Sequence, residues 1–520
     1  MNSAKKNKVA ILVSLLYSLT ASAQITPVQL KEFIADKYIT TADIKYLTEI
    51  KEFYARLNYK TAWVQKDNVA DREIILTNLQ LSAGLGLQEK DYQFRYIQWL
   101  RNNTNSLQST TDSLEAEIRI TDAAIHFYND IAYGNAKPAL GYNGLDYPKC
   151  RNIPVLLADY ISQNLLALLT AKLSPALPEI TILENKIKWF NTIINELNFK
   201  ETIITSNNVN EANQPLHIKL YQLGLIDSAK NIPANLLNQK IKEAQLQFGL
   251  LADGTLRSTT IRQLNVPLSV RLKQLNIAIN YYRWLYCLAQ NQSVIVVNIP
   301  AAYLKVYRND KVVLEMRVIL GKPSTPTPAL ASTVTEVILY PYWHVPYSIA
   351  TKELLPAIRR NPGYIDAGNY QVLNKSGEIM DPYAINWQSL STKYFPYTIR
   401  QSTGCDNALG LLKLNFYNPF GVYLHDTPNK TLFMLGKRYY SHGCMRMEDP
   451  MKLGHLILKN NSIAIDTLEQ KGCLINQSPV TVKANDRMPV VVWYNPAGID
   501  STGRLLFYED IYGKFDWMKK

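Results

Sequence analysis

The chain has 520 residues, of which 47% are hydrophobic and 19% charged, with 22 glycines and 25 prolines. This composition excludes a collagen, a coiled coil, a small disulfide-rich protein and a mainly disordered chain. At about 100–200 residues per domain, the length favours about three domains. Fifty-six Lys and Arg against 43 Asp and Glu give a formal charge of +13, which favours an anionic partner without selecting one. No dense basic run follows the first residues, so the sequence does not indicate nucleic-acid binding.

The first 23 residues have the layout of a secretory signal peptide. A lysine-containing start precedes the apolar run Val9–Leu19, and the small residues Ala21–Ala23 follow as a cleavage site. Polar residues shorten the apolar run, so an uncleaved anchor helix is the less favoured alternative, and the sequence leaves it open. We therefore expect an exported protein.

Hydrophobic periodicity predicts an α+β protein of several domains. A long helical region comes first, and short runs rich in Val, Ile, Thr and Tyr dominate from about residue 291. The predicted divisions are a signal peptide at 1–23, a helical scaffold at 24–205, a small three-helix module at 206–270, a connecting helix at 271–290, a β-rich catalytic domain at 291–472 with a capping insertion at 341–400, and a C-terminal extension at 473–520.

The same periodicity predicts individual elements. The predicted helices are Asp43–Leu57, Ala70–Ala83, Leu114–Ile131, His217–Leu223, Pro233–Phe248, Ser258–Leu264 and Ile349–Arg360. The predicted strands are Ser293–Ile299, Leu304–Arg308, Val312–Leu320, Thr333–Tyr340, Gly410–Phe416 and Val422–His425. A further helix is expected near Asp449, directly after a turn over Ser441–Cys444.

The five cysteines are an odd number, so at least one thiol is left unpaired. We favour a buried free thiol for Cys405, because its Gly-Cys-Asp-Asn surroundings suggest no chemical role. Pairing of Cys405 with Cys150, Cys287 or Cys473 stays open.

Histidine and cysteine concentrate in one short stretch. His425, His442 and His455 lie close together in sequence, with Cys444 among them, although the chain has only six histidines. His425 ends a predicted strand, and Cys444 lies on a glycine-containing turn, which suits a thiolate nucleophile activated by an imidazole. A zinc site and a purely structural role are the alternatives; the H-x-C spacing is unusual for zinc, and Arg446 suits a carboxylate-bearing substrate.

Two motifs carry a family resemblance. Tyr423-Leu-His-Asp-Thr-Pro and Ser441-His-Gly-Cys-Met-Arg446 resemble the signature of the L,D-transpeptidases with a YkuD-type catalytic domain, and the chain resembles their long, YcbB-like branch. Further similarity lies around Trp343 and at the tail segment 510–513. The segment 241–254 resembles a small three-helix peptidoglycan-binding domain, although Arg257 replaces its usual second glycine.

The resemblance implies the roles of the site residues. Cys444 would attack a tetrapeptide stem of peptidoglycan to form a thioester, and His425 would act as general base and acid. The backbone N–H groups of Gly443 and Cys444 would stabilise the oxyanion. The other implied site residues are Ser441 and His442, which support the site, and Arg446, Tyr423 and Trp343, which contact substrate.

The resemblance also implies the function and its setting. An amine of a second stem would resolve the thioester, which gives 3→3 cross-links in cell-wall biogenesis and remodelling. No cofactor or metal is expected, and wall synthases or carboxypeptidases are candidate partners. The protein would act in the periplasm of a Gram-negative type of cell. L,D-carboxypeptidase activity, D-amino-acid exchange and a catalytically inactive wall-binding role are the alternatives.

Overall fold

The computed structural model describes residues 25–35, 44–103, 107, 109–147, 149–205, 213–230, 232–459, 462–475 and 477–515. The predicted signal peptide lies outside the described residues. The chain divides into two compact units: unit 1 comprises Met1–Gln80, Glu89–Tyr128 and Asn152–Thr170, and unit 2 comprises Leu81–Gln88, Asn129–Arg151 and Ala171–Lys520. These units are defined by contacts and differ from the divisions drawn on sequence, which stay predictions.

Unit 1 is helical, as the periodicity predicts. Its helices are α1 (Pro27–Ala35), α2 (Leu47–Arg56), α3 (Val69–Gln80), α4 (Phe94–Asn102), most of α5 (Thr110–Tyr133) and α6 (Ile153–Ser162).

A buried carboxylate organises the core of unit 1. Glu117 on α5 accepts hydrogen bonds from the Tyr54 hydroxyl and from three consecutive backbone N–H groups, those of Ala62, Trp63 and Val64. Burial raises the pKa of Glu117, and these donors oppose the shift. The hydrogen bonds therefore hold the loop after α2 against α5.

The helices of unit 2 pack around one core that they share with a sheet. Phe190, Leu285 and Trp493 are among its buried members. Helix α7 (Leu169–Leu173) begins in unit 1 and ends in unit 2, and the helices that lie wholly in unit 2 after it and before the sheet are α8 (Pro178–Ile194), α9 (Gln214–Gln222), α10 (Ala234–Gln247), α11 (Ser258–Leu264) and α12 (Leu268–Ala289).

Helices α9 to α11 confirm the three predicted helices of the central module. The buried Gln245 side chain closes the turn between α10 and α11, since it accepts from Gly254 N–H at 2.8 Å and donates to the Thr255 carbonyl at 2.9 Å. Arg257, where a glycine was expected, pairs with Asp253. The peptidoglycan-binding role of this module stays a prediction.

No single helix among the described residues is long and apolar enough to cross a membrane. One bent pair, Leu166–Leu173 with Pro178–Ile194, reaches the required length and composition together. The second helix of that pair, α8, is amphipathic and buries residues such as Leu183 and Ile187 in the core of unit 2. Its apolar face is therefore explained by packing.

The catalytic region of unit 2 is built on a ten-stranded sheet. Eight of its strands follow each other in the order β5, β10, β11, β13, β4, β3, β2 and β14, and β14 also pairs with β5, so the sheet closes on itself. The strands are β1 (Tyr142–Asn143), β2 (Val294–Asn298), β3 (Tyr303–Arg308), β4 (Lys311–Gly321), β5 (Leu330–Leu339), β6 (Trp343–His344), β7 (Tyr370–Leu373), β8 (Ile379–Met380), β9 (Thr398–Gln401), β10 (Leu412–Phe416), β11 (Leu424–His425), β12 (Tyr439–Ser441), β13 (Met445–Met447), β14 (Val480–Trp493), β15 (Ala497–Ile499) and β16 (Leu505–Phe507).

The segment after residue 472 contributes to this sheet. Val490–Trp493 of β14 pair in parallel with Ile295–Asn298 of β2, and β14 runs antiparallel to β5. Val490 and Val492 lie in the core inside the sheet. The predicted C-terminal extension therefore contributes a strand to the sheet of the predicted catalytic domain. The apolar run of that strand does not by itself indicate its partners.

The predicted capping insertion has a sheet and a core of its own. Strands β6, β9, β7 and β8 form the sheet, and Ile358, Trp387 and Ile399 are among the buried residues of the core. Its helical segment combines α13 (Tyr347–Ile349), a π-helical turn over Ala350–Leu354 and α14 (Leu355–Arg360), followed by α15 (Tyr364–Ala367). We call residues 341–401 the cap. The predicted helix Ile349–Arg360 is confirmed, but the π turn was not expected.

Two disulfides leave one free thiol. Cys150 pairs with Cys287, and Cys405 pairs with Cys473, with Cα atoms 5.4 and 5.1 Å apart. The expectation of a free Cys405 is wrong, because the end of the cap strand β9 and the end of a C-terminal helix meet in space although 68 residues separate the two cysteines. Cys444 is unpaired.

The predicted helix near Asp449 is confirmed, but the sequence does not indicate the strand that precedes it. The turn Ser441–Cys444 leads into strand β13, not directly into a helix. Helix α16 (Pro450–Leu458) follows only then, with Asp449 as its N-cap, and α17 (Ile463–Lys471) comes after it. The three residues of β13 are too few to produce a periodic signal, so the strand is recognisable only from its partners β4 and β11.

Candidate active site

Three neighbouring strands place an imidazole between two cations. Lys413 of β10 pairs with His425 of β11, and His425 pairs with Arg446 of β13. Residues directly opposite one another on paired strands project from the same face of a sheet. The three side chains therefore form one row across the sheet.

His425 is buried and held in one orientation. Its Nδ1 lies 2.5 Å from the carbonyl oxygen of Asp426, so Nδ1–H donates there and Nε2 keeps the lone pair. Burial, then the charge of Arg446, and more weakly those of Lys413 and Lys430, lower the pKa of His425 to about 3. The imidazole is therefore neutral at physiological pH and able to accept a proton.

Cys444 directly precedes strand β13, and its side chain lies next to Tyr423. The backbone and hydroxyl of Tyr423 hydrogen bond to the sulfur, and Tyr423 lies against His425 with ring centroids 5.5 Å apart. Burial raises the pKa of the Cys444 thiol, while Tyr423, Lys413 and Arg446 favour the thiolate. The resting pair is therefore a neutral thiol and a neutral imidazole.

The loop that carries Cys444 is fixed by hydroxyl groups. Gly443 has a φ of +115°, a conformation that side chains rarely adopt. The Ser441 hydroxyl donates to the Cys444 carbonyl, and the buried Thr327 hydroxyl donates to the Gly443 carbonyl at 2.8 Å. Tyr512 in turn donates to the Gly321 carbonyl and accepts from Thr327 N–H. The C-terminal segment thus supports the catalytic loop.

The expected oxyanion donors differ in availability. Gly443 N–H donates to the Ser441 hydroxyl at 3.1 Å, so it is not free in this structure. Cys444 N–H has no partner among the described residues. Of the two N–H groups, that of Cys444 is therefore the one without a partner among the described residues, and the oxyanion roles of both and the supporting role of Ser441 stay predictions.

The cap and the sheet enclose a cleft of about 450 Å³ around Cys444. Seven of the eight residues that the sequence analysis proposes for the site line it. They are Trp343, Tyr423, His425, Ser441, His442, Cys444 and Arg446, with Gly443 within the same loop. Trp343 comes from the cap and hydrogen bonds to the Tyr423 hydroxyl.

Arg446 has unused hydrogen-bonding capacity. Its Nε is buried without a partner, and burial lowers the pKa of its guanidinium. No carboxylate pairs with it among the described residues. A carboxylate that entered the cleft would find its donors free.

His442 contacts the cap instead of the thiol. Its Nε2 lies 2.7 Å from Oε1 of Glu353, which lies on the π turn. The third histidine of the cluster, His455, does not line the cleft. It lies on α16, where its Nε2 is 3.3 Å from Oε2 of Glu469.

The described residues do not bring a metal-ligand set together at Cys444. Ligand atoms close enough to share an ion belong to His455, Asp466 and Glu469 on α16 and α17, largely exposed. The zinc alternative for His425, His442 and Cys444 therefore gains no support from the geometry.

Sequence reasoning missed four contributors. Tyr512 occurs within the tail segment that carries the resemblance and Lys413 within a predicted strand, but nothing in the sequence assigns a role to either residue or to Thr327. Glu353 carries no sequence signal at all, because its place in the cleft depends on how the cap folds over the sheet. Only strand register and tertiary packing reveal these four.

A thiol, a neutral imidazole with a free Nε2, an unpartnered backbone N–H and an unpaired guanidinium in one cleft are the groups of a cysteine acyl-transfer site. Family models agree with this class. Residues 292–465 match the model of the L,D-transpeptidase catalytic domain, of the YkuD family, and residues 48–185 match the model of a scaffold domain. Residues 292–465 of the chain are therefore similar to a YkuD-type L,D-transpeptidase catalytic domain.

A curated relative is similar over part of its length. The chain is 36% identical over 219 residues to a Haemophilus influenzae protein named "Putative L,D-transpeptidase", which covers 42% of this chain and 44% of that protein. The chain thus matches less than half of the relative's length.

Solved L,D-transpeptidases resemble the chain only distantly. The enzyme from Stackebrandtia nassauensis has 13% identity and a TM-score of 0.22, with 57% of this chain and 98% of that chain covered. L,D-transpeptidase 3 from Mycobacterium tuberculosis, solved with a faropenem-derived adduct, has 15% identity and a TM-score of 0.19, with 39% and 60% covered. At these TM-scores the superpositions carry no argument.

Proposed function

We propose that the protein is a peptidoglycan L,D-transpeptidase that forms 3→3 cross-links through a thioester on Cys444. The observation that supports this most directly is the free Cys444 beside the buried, neutral His425 within a catalytic domain of this family. The proposed substrates are tetrapeptide stems, one as acyl donor and one as amine acceptor.

The first half-reaction acylates the enzyme. His425 Nε2 takes the Cys444 proton, and the sulfur attacks the carbonyl of the third stem residue. Cys444 N–H stabilises the oxyanion, a contribution of about 3–4 kcal/mol per donor in other enzymes. The carbon–nitrogen bond to the terminal D-Ala breaks, and the imidazolium returns the proton to the leaving amine.

The second half-reaction resolves the thioester. An acceptor amine attacks the thioester carbonyl, the carbon–sulfur bond breaks, and the amine proton passes through His425 to the Cys444 sulfur. The energy of the donor amide is kept in the thioester, so the cycle consumes no nucleotide. Arg446 would bind a stem carboxylate, and Trp343 and Tyr423 would form the wall beside it.

Product analysis tests this proposal. Purified full chain incubated with disaccharide-tetrapeptides should yield a dimer that lacks one D-Ala, detected by mass spectrometry. A Cys444→Ala variant should yield none. Tripeptide alone would indicate an L,D-carboxypeptidase, exchange of D-Ala for added D-amino acid would indicate an exchange enzyme, and no reaction would indicate a wall-binding protein.

We also propose that the protein is exported and acts in the periplasm at the cell wall. The layout of the first 23 residues and two disulfides support this, because disulfides persist in oxidising compartments. N-terminal sequencing of the protein from the cell envelope should begin at Gln24. Recovery in the cytosol with an intact Met1 would contradict export.

A further inference from the structure

The cleft has opposite charges on its two walls. The cationic Arg446 lies on the sheet, and the carboxylate of Glu353 lies on the cap. Among the described residues that line the cleft, Glu353 is the only carboxylate. Its side chain is half exposed, so it can contact a solute as well as His442.

The proposed reaction needs two substrates of different charge at the reacting carbon. The donor brings carboxylates and an amide, whereas the acceptor brings a primary amine, which is protonated in water at neutral pH, as the reference pKa of Lys near 10.4 illustrates. The Arg446 guanidinium, with Lys413 in the same row of the sheet, repels an ammonium from that side. An ammonium is attracted instead to the wall that carries the carboxylate.

Glu353 is positioned to serve as that anion. Its Oε1 lies 2.7 Å from Nε2 of His442, which stands two residues before Cys444 in the same loop. The Glu353 carboxylate therefore lies next to the loop that carries the nucleophile. It lies on the π-helical turn Ala350–Leu354, and such turns often occur at functional sites. Its neighbours Thr351 and Leu354 are buried, which anchors the turn in the cap.

We propose that Glu353 forms the acceptor subsite: it binds the ammonium group of the incoming amine on the cap side of the cleft, opposite the donor on Arg446. The ammonium releases one proton to bulk water before its nitrogen attacks the thioester, and a second proton passes from the nitrogen through His425 to the Cys444 sulfur as the carbon–sulfur bond breaks. The subsite rests on the proposed transpeptidation and names a residue that favours an amine over water as acceptor. His442 fixes the direction of the carboxylate through its ring nitrogen.

A Glu353→Gln variant tests the subsite, because the amide keeps an oxygen for His442 and removes only the charge. We expect the KM for the acceptor stem to rise about tenfold, as for loss of one hydrogen bond to a charged group. The rate of Cys444 acylation by donor, followed by intact-protein mass spectrometry, and the rate of thioester hydrolysis should stay unchanged. The share of hydrolysed product should therefore rise.

Glu378→Gln is the matched control, since Glu378 lies in the cap but does not line the cleft. It should behave as the unaltered protein. Raised salt should increase the acceptor KM of the unaltered protein and leave that of Glu353→Gln almost unchanged.

The outcomes separate the subsite from the reaction. If the unaltered protein cross-links stems and Glu353→Gln keeps the same acceptor KM, the subsite is wrong and the transpeptidation stands. If Glu353→Gln also slows acylation, the residue acts on the donor or the loop, and the subsite is again wrong. If the unaltered protein never acylates with donor, both proposals fall.

Discussion

At the residue scale, the site combines a neutral base with a protonated thiol. His425 donates through Nδ1 to the Asp426 carbonyl, and its pKa of about 3 reflects burial and the neighbouring Arg446. The pKa of Cys444 is raised by burial. We therefore expect proton transfer from sulfur to imidazole to take place when substrate binds, not in the resting site.

The pH dependence of Cys444 alkylation follows from these directions. Because the thiol pKa lies above its usual value, the thiolate fraction should increase about tenfold per pH unit below that pKa. The iodoacetamide alkylation rate, measured by mass spectrometry of the Cys444 peptide, should thus rise steadily from pH 6 to 9. A plateau below pH 7 would show a resting thiolate–imidazolium pair and contradict this description.

Lys413 should act on the thiolate from a distance. Its Nζ lies 4.2 Å from the centroid of the Tyr423 ring, and its charge favours the Cys444 thiolate. Lys413→Met should slow acylation by a carbapenem about tenfold, the equivalent of one pKa unit. Lys437→Met, at an exposed surface ion pair, is the control. Equal acylation rates in the two variants would show that the Lys413 charge does not favour the Cys444 thiolate.

We expect a side chain at position 443 to be disfavoured by the backbone conformation of Gly443 and not by lack of space. An added Cβ would meet its first neighbour, in Val422, only at 3.6 Å, yet the φ of +115° disfavours any side chain. Gly443→Ala should cost about 1–3 kcal/mol of local strain, which lowers acylation by about ten- to a hundredfold. Gly436→Ala, where the added Cβ meets nothing within 4 Å, should acylate normally.

Sequence alone predicts the reactive residues of the site but not their supports. Cys444, His425 and Arg446 are recognisable because they lie in two short motifs that resemble the family signature. One motif is at the end of a predicted strand, and the other is on a predicted turn. Lys413, Thr327 and Glu353 act through strand register and loop packing between segments far apart in the chain, which residue types do not encode locally.

At the element scale, the disulfide Cys405–Cys473 joins the end of the cap to the end of α17. A cross-link that closes a loop of this length typically stabilises a fold by about 2–5 kcal/mol. The double variant Cys405→Ala with Cys473→Ala should lower the free energy of unfolding by that amount in a denaturant titration. Cys444→Ala, which leaves both disulfides, should not.

Elements with regular periodicity are predicted well, and short ones are not. Helix α11 has the predicted bounds, α10 is one residue shorter at each end, and β3 begins one residue earlier. Strand β11 covers only the last two residues of the predicted strand Val422–His425, and the three residues of β13 are too few to repeat a pattern. The partners of β14 could not be predicted, because pairing with β5 and β2 depends on closure of the whole sheet.

At the scale of the whole molecule, the charge suits the proposed substrate. The formal charge of +13 attracts carboxylate-bearing polymers over a distance of about 8–10 Å at physiological salt. Within the cleft we propose that Arg446 attracts the carboxylate of the donor, whereas Glu353 attracts the ammonium of the acceptor. The α+β architecture with a scaffold domain is confirmed, while the wall-binding module stays a prediction.

The most direct test of the central claim is the mass of the enzyme during turnover. Full chain mixed with disaccharide-tetrapeptide and quenched in acid should gain the mass of the donor without its terminal D-Ala, and peptide mapping should place the adduct on Cys444. His425→Asn should abolish the adduct although its thiol still reacts with iodoacetamide. An adduct on another residue, or full acylation without His425, would contradict a thioester formed by this cysteine and this imidazole.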